Sequence, residues 1–475
     1  MLLKELLNGL RYSLSGITED TGITAPFPDS RLCEKGGLFV CLDGAEEHIP
    51  EAIRKGAAVM SSKPVSGVPC VTVRDVRYAL SVVYNNYYKD PGKGMRLYGI
   101  TGTNGKTSVA EFLSSCLRAD GRRVGSIGTL GCFADGERID IPVESGRVMT
   151  MTTPDPSYLY RALALLRDKE ITDVVMEVSS HAIAQKRVDA LRFQTGVFTN
   201  LSPEHLDFHK SMEDYFRTKA SFVARCETRI VNGDDSDCRR FAAAVPSHCV
   251  GMNDAADVFV TAGGVSYRAF DCGRIESAVG GEFTVINTLL AVKAARCAGV
   301  PFEKCACGIA SVESVRGRVE RAVKREDAGF DVMIDYAHTP AALESILSHL
   351  RRVCRGRIIC VFGCGGERDR SKRPVMGRIA EGLSDGVIVT SDNPRGEDPL
   401  EIIRDITDGM KSDRFVVIPD RRKAIIAAVS MAEEGDTVLL AGKGHETYEL
   451  VGENVGRFDE REVLKEALRL KKTND

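Results

Sequence analysis

The sequence has no apolar run long enough to span a bilayer in any part of its 475 residues. Its N-terminal stretch MLLKELLNGL carries Lys4 and Glu5 among the leucines, so it lacks a signal-peptide core and is expected to form a surface helix. An excess of one charge is missing as well. The 64 basic and 67 acidic residues give a net charge of -3, which argues against nucleic acid or an anionic membrane as the main partner. We therefore expect a cytoplasmic protein with no membrane insertion.

Paired cysteines are also missing. The 15 cysteines are odd in number and scattered, and no Cys-x-x-Cys pair occurs. Cys305 and Cys307 stand too close together for a usual structural zinc pair. This pattern excludes a disulfide scaffold and predicts reduced, mostly buried thiols, as in a cytosolic protein.

What the sequence does contain is a long alternation of apolar strands and helical stripes. The length predicts roughly three domains, and turn-rich KDPGKG and SVRGR place the boundaries so that the domains are 1–93, 94–315 and 316–475. Strand-like runs alternate with helical patterns, which is typical of an α/β fold with mostly parallel sheets. The main runs are GGLFVCL, PCVTV, RLYGI, DVVMEV, TGVFTN, DVMID, RIICVF, DGVIV and TVLLA. The first helix after RLYGI shows helical spacing of Val109, Phe112, Leu113, Cys116 and Leu117.

The stretch YGITGTNGKTS combines a strand, a glycine turn and a helix start. Gly102 and Gly105 allow backbone N–H groups to approach phosphate oxygens, Lys106 supplies charge, and Thr107 can reach Mg2+. The general GxxxxGK[ST] pattern fails because position 100 is Ile, so the spacing is narrower than in most NTPases. A phosphate loop is predicted all the same.

A second glycine-rich run, VFGCGGERD, does not fit a dinucleotide site. The fingerprint requires glycine where Arg368 stands, so nicotinamide binding is weakly supported. Two interpretations of Arg368 stay open, a phosphoryl or carboxylate contact and an ordinary exposed arginine.

Candidate metal ligands follow two neighbouring strand runs. Glu177 ends the first, and His205 and His209 follow the second at i, i+4. A zinc protease would have Glu directly after the first histidine, but Leu206 stands there, so zinc is rejected. Thr107, Glu177 and His205 are expected to converge at one sheet edge, while His209 could equally be packed or capping.

The stretch SDNPRGEDP follows the apolar run DGVIV and places Asp392, Asn393 and Arg395 around Pro394. Alone it fits a solvated turn. Open α/β sheets, however, usually bind ligands outside the carboxyl ends of their strands, so a ligand-reading loop is the alternative.

Ten motifs, in order, resemble the Mur ligases, ATP-dependent amide-bond formers of bacterial cell-wall precursor synthesis. They are TGTNGKTS, TTPDP, MEVSSHA, NLSPEHLDFH, YFRTKASF, GRVE, DYAHTP, GCGGERDRSKRP, DNPRGEDP and GKGHE. The resemblance is greatest to the members that add the third residue of the stem peptide. It implies a small N-terminal α/β UDP-binding domain, a central P-loop-type ATPase domain with a mostly parallel sheet, and a C-terminal Rossmann-like domain.

The resemblance also implies roles for individual positions. The ATP-binding positions are Gly102, Thr103, Asn104, Gly105, Lys106, Thr107, Asn287, Arg318 and His338. The Mg2+ ligands are Thr107, Glu177, His205 and Lys219, and the catalytic set is Lys106, Lys219, His205 and Asp335. Lys219 matches a lysine that the family carries as a carbamate formed with CO2. Because only an uncharged amine reacts with CO2, the site must depress the pKa of that lysine.

Two further sets of positions match the other substrates. Those matching contacts to UDP-MurNAc-L-Ala-D-Glu are Ser30, Thr152, Thr153, Ser179, Gln185 and Arg187. Those matching contacts to meso-diaminopimelate are Arg368, Asp392, Asn393, Pro394, Arg395, Gly442 and Glu446. Two departures weaken the transfer: Thr284 stands where the family often has Asn, and the region AEEHIPEAI is shortened, so uridine contacts there are not carried over.

The activity implied is ATP-dependent addition of meso-diaminopimelate to the D-glutamate γ-carboxylate through an acyl phosphate, by a monomer. Diaminopimelate differs from lysine by a second carboxylate, which suits the planar fork of a guanidinium. Two alternatives remain at this stage: a Mur-like ligase that uses L-lysine or another amino acid, and a catalytically silent nucleotide-binding regulator of the same fold.

Overall fold

A computed structural model of the chain describes residues 1–142, 151–261, 263–412, 414–452 and 454–474. Within these ranges, no helix is both long enough and apolar enough to cross a membrane. The chain folds into three successive α/β units, each built on its own main sheet. The α/β class and the mostly parallel sheets predicted from the sequence are confirmed.

The N-terminal unit contains a five-stranded sheet of order β1-β5-β4-β3-β2, in which only the β1–β5 pair is antiparallel. Its strands are β1 (Tyr12–Ser15), β2 (Pro26–Phe27), β3 (Leu38–Val40), β4 (Ala58–Ser61) and β5 (Cys70–Val73). Its helices are α1 (Leu3–Leu6), α2 (Ile49–Arg54) and α3 (Val76–Tyr87). The expected N-terminal surface helix is present but short, with Lys4 and Glu5 exposed. Helix α1 is one short turn, and Leu3, Leu6 and Leu7 are buried in the core because they pack beside α3.

The middle unit contains an eight-stranded sheet of order β13-β12-β11-β6-β10-β7-β8-β9, parallel as far as β7. The strands are β6 (Arg96–Thr101), β7 (Val124–Gly128), β8 (Gly131–Ala134), β9 (Glu137–Arg138), β10 (Asp173–Glu177), β11 (Thr195–Phe198), β12 (Thr228–Asn232) and β13 (His248–Val250), followed by an antiparallel sheet of β14 (Ala255–Thr261), β15 (Gly264–Ala269) and β16 (Gly273–Ser277). The helices are α4 (Lys106–Ala119), α5 (Pro156–Asp168), α6 (Ser180–Ala184), α7 (Met212–Ala224), α8 (Ser236–Ala244), α9 (Glu282–Cys297) and α10 (Phe302–Ala310). Strand β6 lies between β10 and β11, so the loops after all three open at one edge.

The C-terminal unit contains a six-stranded sheet of order β17-β18-β22-β19-β20-β21, parallel except for the edge strand β17. The strands are β17 (Glu320–Val323), β18 (Asp331–Asp335), β19 (Ile358–Phe362), β20 (Gly386–Val389), β21 (Phe415–Val417) and β22 (Thr437–Ala441), followed by a hairpin of β23 (Tyr448–Val451) and β24 (Asn454–Arg457). The helices are α11 (Arg325–Ala328), α12 (Pro340–Val353), α13 (Lys372–Leu383), α14 (Pro399–Thr407), α15 (Arg421–Met431) and α16 (Glu460–Asn474).

Several helices begin at a capping residue followed by proline. Asp155, Thr339 and Asp398 each accept a backbone N–H in the first turn of α5, α12 and α14, and proline is the next residue each time. This pairing satisfies otherwise free N–H groups and presets the backbone of the first turn. It therefore fixes where these helices leave the strand-end loops.

The helix and thiol predictions can be compared directly with the structure. The predicted apolar stripe of α4 is confirmed, since Val109, Phe112, Leu113, Cys116 and Leu117 are all buried. The prediction of mostly buried, reduced cysteines is also confirmed. All 15 are free thiols, and ten of them are buried.

Candidate active site

The loop after β6 is shaped by glycines at two positions. Gly102 and Gly105 adopt φ values of 147° and 85°, in the region that favours glycine. A β-carbon on Gly102 would lie 1.9 Å from Thr199 Oγ1, and one on Gly105 would lie 2.6 Å from Asn287 Oδ1. Asn287 on α9 therefore lies against the loop. The loop is closed from the β11 side, because Thr103 N and Asn104 N donate to the backbone and side-chain oxygens of Asn200 at 3.0 and 2.9 Å.

Two lysines converge on this loop from different helices. Lys106 Nζ donates to Gly102 O and Thr103 O at 2.9 and 2.8 Å, and Lys219 Nζ from α7 donates to the same Gly102 O at 2.8 Å. Lys219 is buried and lies over the ring of Tyr215. Burial and the neighbouring Lys106 ammonium hold the pKa of Lys219 well below its usual value. Burial also lowers the pKa of Lys106, against the raising effect of Glu204 and Glu177.

The Glu177 carboxylate, at the end of β10, lies beside the start of α4 and accepts several hydrogen bonds there. Its carboxylate accepts from Thr107 Oγ1 at 3.0 Å and from the backbone N–H and hydroxyl of Thr129 at 2.8 and 3.0 Å. Gly128 must lack a β-carbon, which would lie 2.3 Å from Glu177 Oε1. Arg318 Nη2 also donates to Thr107 Oγ1, at 3.3 Å. Hydroxyl and carboxylate oxygens are the donors that Mg2+ prefers, so Thr107 and Glu177 fit this cation.

His205 and Lys219 are the other predicted metal ligands, and Lys219 shares the Gly102 carbonyl oxygen with Lys106. His205 has a left-handed backbone, with φ of 56°, and its Nε2 lies 3.7 Å from Glu204 Oε2. Charge interactions link His205 to both Lys106 and Lys219. In the described part of the chain, no three His, Cys, Asp or Glu side chains are placed to hold a metal by themselves. Mg2+ usually keeps waters and substrate phosphates as ligands, so a sparse protein set fits it.

His209 is buried within an aromatic group. Its ring lies 4.9 Å from that of Tyr215 and 6.0 Å from that of His181, and its Nδ1 lies 3.5 Å from Asp214 Oδ2. Of the two interpretations left open by the sequence, the packed one fits this environment.

Glu204, which the sequence did not single out, connects the middle and C-terminal units. Its Oε1 lies 2.8 Å from His338 Nε2, and His338 Nδ1 lies 2.8 Å from Tyr336 O. Burial alone would raise the pKa of Glu204, but His338, His205 and Lys106 lower it well below its usual range. Asp335 at the end of β18 accepts from Val319 N at 2.7 Å, and burial raises its pKa despite the nearby Arg318. The predicted nucleotide-side residues are thus brought together across the two units.

Five of the residues predicted to contact UDP-MurNAc-L-Ala-D-Glu form one polar cluster. Thr153 Oγ1 bonds to Glu177 O at 2.8 Å and to Ser179 N at 2.9 Å, and Ser179 caps α6. Arg187 donates to Thr153 O at 2.6 Å and to Gln185 Oε1 at 2.7 Å, and burial lowers the pKa of Arg187. Thr152 joins through the Thr129 hydroxyl at 3.2 Å.

Ser30 is not part of that cluster. It lies in the N-terminal unit, is buried, and its Oγ donates to Glu51 Oε2 at 2.5 Å. The preceding Asp29 accepts Arg31 N, the local turn expected for such a sequence. The hydroxyl of Thr284 is also occupied, since it donates to Gly280 O, just before the start of α9, at 2.7 Å.

The loop after β20 is not a solvated turn. Asp392 and Asn393 are buried, and Asn393 Nδ2 donates to Glu446 Oε2 at 2.8 Å. A β-carbon on Gly442, which follows β22, would lie 2.6 Å from Asp392 Oδ2. The glycine-rich run after β19 packs against the same loop, because a β-carbon on Gly366 would lie 1.9 Å from Pro394 O. Those two glycines allow three loops to pack together at one sheet edge.

Arg395 is half-buried and has no carboxylate partner among the described residues. Its Nη1 donates to Gly366 O at 2.8 Å and Asn393 O at 3.4 Å. The backbone is left-handed, with φ of 51°, and is held by pairing with β23: Arg395 N donates to Leu450 O at 3.0 Å, and Arg395 O accepts Gly452 N at 2.7 Å. Burial and then the charge of Arg368 lower the pKa of Arg395. Arg368 itself is exposed. Two guanidinium groups without a buried carboxylate partner form a place for an anion.

Lys443 is the main site residue that sequence reasoning missed. It is fully buried within the run GKGHE and donates to Asn393 Oδ1 at 3.0 Å and Tyr448 O at 2.9 Å. A charged residue between two glycines at a strand end was the available signal. Thr129 and Glu204 carried no such signal, because their contacts depend on the pairing of distant strands and units.

Comparison with known proteins agrees with this geometry. The Mur ligase middle domain matches residues 100–295, and the Mur ligase glutamate ligase domain matches residues 317–444. UDP-N-acetylmuramoyl-L-alanyl-D-glutamate–2,6-diaminopimelate ligase 1 of Clostridium acetobutylicum is 37% identical over 99% of each chain. The corresponding ligase of Clostridioides difficile is 40% identical over 93% of this chain and 94% of its own.

Solved structures agree with the sequence relatives. A structure of a UDP-N-acetylmuramoyl-L-alanyl-D-glutamate–2,6-diaminopimelate ligase has a TM-score of 0.67 at 27% identity, covering 99% of each chain. The MurF ligase of Thermotoga maritima in complex with ADP has a TM-score of 0.64 at 19% identity, covering 96% of this chain and 98% of its own, and shows the shared fold. Fold and site together define an ATP-dependent amide-bond ligase. The chain belongs to the Mur ligase family.

Proposed function

We propose that this ligase adds meso-diaminopimelate to the D-glutamate γ-carboxylate of UDP-MurNAc-L-Ala-D-Glu, with ATP converted to ADP and phosphate. The observation that carries the choice of amino acid is the half-buried Arg395 guanidinium, which forms no ion pair at contact distance in the described chain and lies near buried Asp392 and Glu446. A ligand end bearing both a carboxylate and an ammonium complements this set. The names of the relatives from Clostridium acetobutylicum and Clostridioides difficile support the same substrate.

The reaction begins with phosphorylation of the γ-carboxylate by ATP, which gives an acyl phosphate. The amine of diaminopimelate then attacks the acyl carbon, and phosphate leaves from the tetrahedral intermediate. No protein nucleophile is required. The residues position the reactants and neutralise charge, which is usually the largest contribution to phosphoryl-transfer catalysis.

The phosphate loop, Gly102 to Thr107, supplies backbone N–H groups and the start of α4 for the triphosphate. Lys106 exchanges its carbonyl acceptors, Gly102 O and Thr103 O, for phosphate oxygens. Asn287, Arg318, His338 and Asp335 complete the nucleotide side. When bound by Thr107, Glu177 and His205, Mg2+ supplies the positive charge that offsets the triphosphate.

Lys219 is proposed to act as a carbamate. Its depressed pKa keeps a fraction of the amine uncharged, which is the form that reacts with CO2. The product is an anion next to Lys106, so the like-charge contact between two ammonium groups becomes an attraction.

The muramoyl dipeptide is assigned to the cluster of Thr152, Thr153, Ser179, Gln185 and Arg187, and its uridine side to Ser30 in the N-terminal unit. Diaminopimelate is assigned to Arg368, Asp392, Asn393, Pro394, Arg395, Gly442 and Glu446. The domains are taken as 1–93 for the UDP substrate, 94–315 for ATP and 316–475 for the amino acid, in a monomer. The partly buried contact of His338 with Glu204 supports closure of the last two as a step before chemistry.

Product analysis tests this function. The chain is incubated with ATP, Mg2+, UDP-MurNAc-L-Ala-D-Glu and either meso-diaminopimelate or L-lysine, and phosphate release and product mass are measured. We expect the tripeptide product with diaminopimelate and much slower product formation with lysine, because lysine leaves Arg395 without its anion. Equal rates with both amino acids would contradict the assigned selectivity. ATP binding with no phosphate release for any amino acid would favour a silent nucleotide-binding regulator.

A further inference from the structure

Lys443 lies at the centre of the amino-acid pocket with no access to solvent. Its side chain is 0% exposed, it follows β22 between Gly442 and Gly444, and it lies over the ring of Phe458. A buried ammonium is costly unless it is paired and hydrogen-bonded. Two of its three donors are satisfied by Asn393 Oδ1 and Tyr448 O. The remaining charge faces Asp392 Oδ1 at 3.9 Å and Glu446 Oε2 at 3.8 Å.

The contacts of Lys443 fix the orientation of the Asn393 amide. Asn393 Oδ1 accepts from Lys443 Nζ and from Leu450 N, both at 3.0 Å. Both contacts are donors, so the amide oxygen must face them and the Nδ2 group must face Glu446, to which it donates at 2.8 Å. One oxygen of Glu446 is thereby held by Asn393. The other, Oε1, lies 3.4 Å from the Tyr336 hydroxyl, a long contact that a ligand ammonium can replace.

Lys443 opposes two effects that disfavour the ionised form of Glu446. Burial and the adjacent Asp392 raise the pKa of Glu446, while Lys443, the Asn393 amide and His338 act in the opposite direction. The titratable and charged groups that face Glu446 from the surrounding elements are Asp392, Lys443, His338, Tyr336, Tyr448, Arg395 and Arg421. Among them, Lys443 is the cation on the same strand-end turn, since Glu446 N donates to Lys443 O at 2.9 Å.

We propose that Lys443 is a positioning residue that selects a zwitterionic amino-acid end, by placing its ammonium beside both Asp392 and Glu446 and by turning the Asn393 amide toward Glu446. The inference rests on the proposed function and deepens it. Arg395 binds the ligand carboxylate, and Asp392 and Glu446 bind the ligand ammonium beside it. With a neutral residue at 443, Glu446 takes up a proton, because burial and the adjacent Asp392 carboxylate both disfavour its ionised form. Binding of an ammonium then has to expel that proton.

Three variants separate charge from packing. Lys443→Met removes the charge and the hydrogen bonds, Lys443→Gln keeps a donor without charge, and Lys423→Met changes an exposed lysine on α15 as the matched control. Binding of meso-diaminopimelate and of ATP to the full chain is measured by calorimetry near neutral pH, in two buffers of different ionisation enthalpy, which gives the protons exchanged on binding. Circular dichroism checks that each variant is folded.

We expect Lys443→Met and Lys443→Gln to weaken diaminopimelate binding by at least about ten-fold and ATP binding by less than about two-fold. Both should release up to about one more proton on binding than the wild type does, since binding forces the extra proton off Glu446. The Lys423→Met control should match the wild type. A Lys443→Gln variant with wild-type affinity and proton count would overturn the charge role and leave Lys443 a hydrogen-bond donor only.

The same binding experiment distinguishes failure of the proposed function from failure of this inference. If the wild-type chain does not bind diaminopimelate, the assigned substrate is wrong and the inference falls with it. If the wild type binds and the two Lys443 variants bind equally well, the inference alone is wrong. If neither variant folds, the wild type still decides the matter. Its affinity should change little between about pH 6.5 and 8, and a clear loss at the lower pH would show that Glu446 is not kept ionised.

Discussion

The loops after β6 and β20 occupy equivalent positions, at the carboxyl ends of central parallel strands, yet they are built from different groups. In the loop after β6, the backbone forms most of the site. Its glycines admit close neighbours, and Lys106 bonds to carbonyls of its own loop, three and four residues away. In the loop after β20, side chains form the site: Asn393 is hydrogen-bonded to Lys443 and Glu446, which lie 50 and 53 residues further along the chain. A loop that any phosphate fits can be encoded locally, whereas selection of one amino acid requires contacts between distant segments.

The two loops also differ in how charge is balanced. Around Gly102, two lysine side chains share one carbonyl oxygen, and Lys106 supplies positive charge that suits a triphosphate. Around Asn393, buried Asp392 and Glu446 face Lys443 and Arg395, so the site holds both signs. One pocket attracts anions, and the other requires a ligand with separated charges.

The largest expected effect is the loss of Lys106. Lys106→Met should lower phosphate release by about a thousand-fold, because a preorganised cation at the transferring group is removed. Diaminopimelate binding should be unchanged, since its pocket lies on another sheet. The exposed Lys169→Met serves as the control. Retention of activity in Lys106→Met would show that the backbone alone suffices at this loop.

Replacement of Lys219 is expected to affect activity and stability in different ways. Lys219→Met should reduce activity by about a hundred-fold, the size seen when groups supporting a metal site are lost. In CO2-free buffer it should not lower the melting temperature at neutral pH. The folded-state pKa of Lys219 is depressed, so the unfolded chain binds more protons, and the buried amine gains stability as pH rises toward its ordinary value. The stability advantage of Lys219→Met should therefore shrink at alkaline pH.

Two measurements test that account of Lys219. Thermal unfolding of both proteins across neutral and alkaline pH gives the sign of the difference. Removal of CO2 and re-addition of bicarbonate should lower and restore wild-type activity, whereas Lys219→Met should not respond. Activity independent of bicarbonate would argue that the unmodified amine is the working form.

The next effect tests the side-chain loop. Arg395→Ala should weaken diaminopimelate binding by about 1 to 3 kcal/mol, the cost of leaving a buried charged partner unpaired, and ATP binding by far less. Arg404→Ala removes an exposed arginine that pairs with Glu401 on α14 and should change neither. Equal losses for diaminopimelate and ATP would mean that Arg395 supports the fold and does not select the ligand.

The sequence predicted the strands, the phosphate loop and the stripe of α4 because each depends on local spacing. It also predicted that Thr107, Glu177 and the segment after β11 meet at one sheet edge, since parallel strands place their ends together. Lys219 shows where such reasoning stops. On its helix it is an ordinary lysine, and its burial against Gly102 follows from how α7 packs over the loop. The burial of the N-terminal leucines beside α3 depends on tertiary packing in the same way.

The amino-acid pocket was only partly predictable. Asp392, Asn393 and Arg395 could be singled out from their loop, but Lys443, Tyr336 and the hairpin that holds Arg395 come from later or earlier segments. The bridge between Glu204 and His338 spans 134 residues and two units. No local pattern encodes such a contact. The residues that local sequence patterns could not identify were assigned from the resemblance of ten motifs, in order, to the Mur ligases.

The smallest expected effect concerns the exposed contact between the middle and C-terminal units. Arg352 Nη1 lies 2.9 Å from Glu282 Oε2, and the two side chains are 54% and 51% exposed. Glu282→Gln should change the free energy of unfolding by less than about 1 kcal/mol, because water and salt screen such a pair, and product formation should not change. Glu204→Gln, at the partly buried contact with His338, should slow product formation, since His338 loses a charged partner and closure is weakened. Urea unfolding and steady-state rates of both variants distinguish a contact that only lies on the surface from one that supports activity. Equal rates for both would show that closure does not depend on the contact between Glu204 and His338.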